Sequence, residues 1–175
     1  RARDAEAQIV MRVILLPEQP DVTCEITGDP TVKIGELTLP APVILDDRAG
    51  RLVIPHNAGL LFGVDELEWA NKPLGGFMSM PWFGAADLAS GQGYIAILET
   101  PDDAFYRGVK AQGPTRDVLA VQPFFQPCKG ALGYGRRILY HFAERGGYVA
   151  LAKRYRAYAM ARGAVKTLEA KRKAR

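Results

Sequence analysis

The chain has 175 residues, 48% of them hydrophobic, enough to bury one core of ordinary size and too many for a disordered segment. Its net charge of +4 does not argue for nucleic acid, because the basicity is local. From Lys153 onward nine Lys or Arg stand against one Glu, while residues 1–152 carry 14 basic and 18 acidic side chains; such a tail on a helix reads as a solvated face, with no aromatic stacking platform beside it.

No apolar run reaches membrane-spanning length, so no membrane span is expected, and there is no initiator Met or signal-peptide core. Cys24 and Cys128 match no metal or redox spacing and are read either as buried thiols or as one bridge; neither cofactor nor metal is expected, and the compartment stays open. The abrupt start at Arg1 and the charged helix at the other end give the chain the look of a piece cut from a longer protein.

In chain order, Gln8–Leu16 reads as a strand ended by Pro17 and Pro20, and Val22–Ile26 as a half-buried strand ended by Gly28, Asp29 and Pro30. Short strands follow at Val32–Leu39, Val43–Leu45 and Arg51–Ile54. Pro55–Gly63 breaks the pattern and carries His56, one of two histidines. A His beside Pro and Asn is read either as a loop-fixing hydrogen bonder or as a group for sugar hydroxyls. Asp65, Glu66, Glu68 and Trp69 then offer either a solvated loop or the wall of a polyol site.

The central stretch Met80–Ala104 is expected to be a long hairpin, with strands over Gly76–Phe83 and Tyr94–Glu99. Gly84, Gly91 and Gly93 would supply unusual backbone angles in its loop, and Asp102 and Asp103 would form the closing turn. Pro81 cannot donate to a ladder and would place Trp82 at a rim. Two readings compete there: Trp82 as core packing, or Trp82 and Asp87 bordering a sugar. Phe105–Gln112 and Asp117–Gln126 read as strands, with Pro123 marking the second as an edge or as bending away. Tyr134–Phe142 is a half-exposed strand. From Gly147 the apolar spacing turns helical through Tyr148, Leu151, Tyr155 and Tyr158, with Gly163 as a left-handed cap, and Thr167–Arg175 begins another helix. Strands followed by helices predict a mainly β protein: an antiparallel β-sandwich with one or two C-terminal helices, residues 1–146 forming the sandwich and 147–175 a helical connector.

The order PHNAGLLFG, MPWFGAAD, GYIAILETPDDA and LAKRYRAYAMARGAVKTLEAKRK resembles the β-sandwich and connector that precede the catalytic barrel in bacterial glycoside hydrolases similar to endo-α-N-acetylgalactosaminidases. The resemblance spans about Leu52 to Lys173. It implies a supersandwich like that of galactose mutarotase, and a downstream catalytic domain of the same parent chain as partner. It also implies that the two catalytic carboxylates lie beyond Arg175, so no catalytic residue is assigned here. Carbohydrate is the expected ligand, with Trp82, Asp87, His56 and Trp69 as candidate binding residues. Alternatives are a carbohydrate-binding module with Trp69, Trp82 and Tyr94 as a stacking platform, or an aldose mutarotase-like enzyme using His56 or His141 with Glu99.

Overall fold

The computed structural model describes residues 8–46, 49–63, 66, 72–73, 78–112 and 117–173. Within them run β1 (Ile9–Leu15), β2 (Asp21–Gly28), β3 (Val43–Asp46), β4 (Gly50–Ile54), β5 (Leu60–Phe62), β6 (Lys72–Pro73), β7 (Trp82–Asp87), β8 (Gly93–Leu98), β9 (Ala104–Gln112), β10 (Asp117–Phe125) and β11 (Arg136–Ala143). Helices α1 (Gly147–Ala161) and α2 (Leu168–Lys173) follow. The strands form two antiparallel sheets, one of seven strands in the order β1-β2-β11-β8-β7-β4-β5 and one of four in the order β3-β10-β9-β6. The expected β-sandwich with C-terminal helices is what the chain builds.

Period-two alternation decides what each face of the larger sheet meets. Cys24, Ile26, Leu52, Ile54, Phe83, Ala85, Tyr94, Ala96, Leu98, Ile138 and Tyr140 point inward and pack with Tyr106, Val121 and Phe125 of the smaller sheet. Val53, Trp82, Ala86, Ile95 and Ile97 point outward and are covered by α1 through Leu151, Tyr155 and Tyr158. The central strands β7 and β8 are therefore buried on both faces, which their nearly unbroken apolar runs WFGAA and YIAIL permit.

Three expectations need correction. Val32–Leu39 is not a strand; it touches others at two isolated bridges, Lys33 to Ala131 and Leu37 to Phe125, and the apolar spacing there reflects Leu37 turning into the core. The strand expected over Gly76–Phe83 instead spans Trp82–Asp87, and residues 74–77 lie outside the described residues. Its small residues are packing devices: a Cβ on Gly84 would come within 2.6 Å of the Tyr94 carbonyl oxygen and 2.9 Å of Leu151 Cδ1. Of the three glycines assigned to a loop, only Gly91 has a positive φ, at 76°; Gly84 and Gly93 sit in strands where backbones approach closely. The third correction is β5, a three-residue strand inside PHNAGLLFG, too short for its period to show.

Other expectations hold. Pro123 lies beyond the stretch of β10 that pairs with β3, so its missing amide costs no ladder bond there. Gly163, at φ 69°, ends α1 with amide bonds from Gly163 to the Met160 carbonyl and from Ala164 to the Ala159 carbonyl, a Schellman cap. The cysteines meet their expectation only in part: both are free thiols and no bridge joins them, but only Cys24 is buried, while Cys128 is exposed. Among the described residues no helix is long and apolar enough to cross a membrane.

Candidate functional site

The turn between β4 and β5 is built by Asn57 at φ 50° and Gly59 at φ 96°, and is tied back by the Ser79 amide donating to the Pro55 carbonyl at 3.1 Å. It stands beside the first turns of α1. Between them lies a groove of about 390 Å³ walled by Val53, Pro55, Leu60, Leu61, Met80 and Trp82 on the sheet side and by Tyr148, Val149 and Ala152 on the helix. None of its described lining residues is charged. The volume falls in the range of small-molecule clefts.

Trp82 is only 3% exposed. Its ring stacks on Tyr155 with centroids 5.9 Å apart, and its buried indole N–H has no hydrogen-bond partner among the described residues. Asp87 ends the same strand five residues later, and an odd spacing puts it on the opposite face. Asp87 Oδ1 accepts from the Ala89 and Ser90 amides at 2.7 and 2.9 Å, fixing the turn to β8, and those two N–H groups hold its carboxyl below the usual range. The structure therefore does not bring Trp82 and Asp87 to one sugar face. His56 sits in the β4–β5 turn with Asn57 Nδ2 3.3 Å from its Nε2. Trp69 lies outside the described residues. Tyr94 is 1% exposed on the inner face, opposite in direction to Trp82, so the stacking platform of Trp69, Trp82 and Tyr94 is not formed by these two rings.

Of the titratable groups proposed for proton transfer, Glu99 and His141 belong to contacts that hold the helix instead. Glu99 accepts from the Tyr158 hydroxyl at 2.8 Å and pairs with Arg162 and, at 3.0 Å, with Arg137. Burial, and then this contact with Glu99, pushes the Tyr158 phenol up to about 12. His141 Nδ1 lies 2.6 Å from Asp21 Oδ1, whose other oxygen accepts from Arg154 at 2.7 Å. The Glu99 amide bonds Arg137, four residues before His141 on β11, or about 13 Å along the strand. His141 and Glu99 thus serve two separate clamps. Sequence reasoning missed both clamps, since nothing in the spacing links Asp21 to Arg154 or Glu99 to Arg162.

Asp103, expected only as a turn former, does close the Pro101–Ala104 turn, yet its side chain is 1% exposed and forms a two-point pair with Arg136. Arg136 also donates to the Tyr134 carbonyl at 2.8 Å and lies over the Tyr134 ring at 4.3 Å. Such a fully satisfied pair is architecture rather than a poised acid.

The sequence matches no protein-family model and no curated protein. Among solved structures it is similar to the α-N-acetylgalactosaminidase NagBb from Bifidobacterium bifidum. The likeness to its GalNAc complex has a TM-score of 0.78 at 28% identity, covering 95% of this chain and 28% of that one. The quadruple mutant gives 0.78 at 26% identity, covering 97% and 28%, and the Gal-NHAc-DNJ complex 0.77 at 27%, covering 95% and 28%. Nearly all of this chain therefore corresponds to little more than a quarter of a much longer glycosidase chain.

Proposed function

We propose that this chain is a non-catalytic β-sandwich domain of a glycoside hydrolase, of the supersandwich type, that borders the active site of a catalytic barrel in the same parent polypeptide. The observation that carries the reading is the match over 95% of this chain to only 28% of an α-N-acetylgalactosaminidase chain. The carboxylates agree with it: Asp21, Glu99 and Asp103 are each neutralised by an arginine, two of them holding α1 and one deep in the sandwich, where a glycosidase acid and its counterpart must instead flank a sugar bond. Residues 147–175 act as the connector, with α1 already seated on the sandwich. Carbohydrate contact, if made through Asp87 or His56, would come from the sheet ends rather than from the groove, whose walls offer few groups for hydroxyls.

The test compares residues 1–175 with the full parent polypeptide on aryl α-N-acetylgalactosaminides and a panel of other aryl glycosides. The parent is expected to turn over one of them and the 175-residue chain none. Turnover by the short chain that disappears in Glu99→Gln or Asp102→Asn overturns the reading, as does a parent gene that encodes no further domain.

A further inference from the structure

The groove between the β4–β5 hairpin and the start of α1 presents apolar side chains to solvent. Four of its wall residues are large apolar side chains left substantially in solvent: Leu60 and Leu61 at 40%, Tyr148 and Val149 at 45%. They are contiguous across the groove, unlike the scattered exposed apolar residues normal on a surface. A sugar fits poorly, because its hydroxyls need several polar partners while the walls carry no charge among the described residues and Asn57 lies within reach of His56. An apolar peptide segment fits well: its side chains would cover Leu60, Leu61, Tyr148 and Val149.

We infer that the groove receives an apolar segment of the neighbouring domain in the parent polypeptide, so that the sandwich and its partner domain lock together across α1. This rests on the proposed function. The argument for that occupant is the share of the related glycosidase chain left over, since the 28% matched here leaves most of that chain to be packed against this domain or beyond it.

The experiment uses the full parent polypeptide carrying Cys128→Ser with one probe thiol at a time: Leu61→Cys on the hairpin, Val149→Cys on the helix, and Thr31→Cys in the exposed turn after β2 as control. Maleimide modification is followed peptide by peptide, and retained glycosidase activity reports folding. Both groove thiols are expected to react at least about tenfold more slowly than the control, the protection of a surface that opens only with domain separation. Reaction at the control rate in an active parent overturns the inference while leaving the proposed function intact; absence of any second domain removes the proposed function itself. Protection that grows with protein concentration would assign the groove to a second copy, and protection that needs added free GalNAc would assign it to sugar; either result also overturns the inference.

Discussion

The two faces of the seven-stranded sheet each bury an acid against an arginine, and they do it differently. On the inner face Arg136 and Asp103 are both 1% exposed and lie within the sandwich. On the outer face Glu99 is 7% exposed but its partner Arg162, the residue that caps the end of α1, is 55% exposed. The inner face is sealed by a second sheet contributing side chains along several strands, whereas the outer face is sealed by one helix in which Leu151 and Ala159 are the buried residues. The inner pair therefore leaves a costly buried charge if either partner is removed, and the outer pair is a fastener for one element.

Removing one partner of the inner pair breaks this comparison most severely. Asp103→Ala is expected to cost about 3 to 5 kcal/mol, because Arg136 remains buried without a counter-charge. Urea denaturation checks it, and Asp103→Leu combined with Arg136→Met should recover much of the loss. A single mutant within 1 kcal/mol of the parent sequence would mean that water reaches Arg136, an outcome set against the usual cost of an unpaired buried charge.

Trp82→Ala tests the outer face at its largest side chain and is expected to cost about 3 to 5 kcal/mol. Since the ring stacks on Tyr155 beneath α1, glycan affinity of the surviving folded protein should not change. Reduced glycan binding at unchanged melting temperature would instead return Trp82 to a sugar-contacting role.

Gly84→Ala adds a single methyl where Tyr94 O and Leu151 Cδ1 already stand, and about 1 to 3 kcal/mol of destabilisation is expected. Combining it with Leu151→Ala should give less than the sum of the two single effects, because the shortened side chain relieves half of the clash; strict additivity in thermal unfolding would show that the Tyr94 carbonyl alone sets the cost.

Glu99→Gln should have the smallest effect, about 0.5 to 1.5 kcal/mol, since its partners are partly solvated and amide hydrogen bonds can replace part of the contact. Hydrogen exchange should quicken over Tyr155–Arg162 and stay unchanged at Gly147–Leu151, where the Gly147 amide bonds the Gly91 carbonyl. Uniform quickening along α1 would show that the helix is released as a unit.

Much of the sandwich was legible in the chain. The alternation at Val22–Ile26, Tyr94–Leu98 and Tyr134–Phe142, with Gly and Pro between, located strands that the structure has, and the shift to helical spacing at Gly147 located α1. The strand Trp82–Asp87 was misplaced because Gly84, Ala85 and Ala86 look like loop residues when nothing in the sequence announces a helix pressed on one side and a sheet on the other. The same ignorance of faces joined Trp82 to Asp87 in one expected site: they are close along the chain and on opposite sides of the sheet.

What the sequence determined by itself was local, namely which segments extend, which turn, where α1 begins and where Gly163 ends it, because those choices depend on backbone angles and on periods of two and 3.6 residues. What only the tertiary structure decided was partnership across the chain. Asp21 meets Arg154, Glu99 meets Arg162, Asp103 meets Arg136, and the β4–β5 hairpin meets Tyr148 and Val149 to form the groove. These contacts depend on strand order and on where a helix comes to lie, quantities that arise from burying apolar surface over the whole chain and leave no mark in the spacing of neighbouring residues.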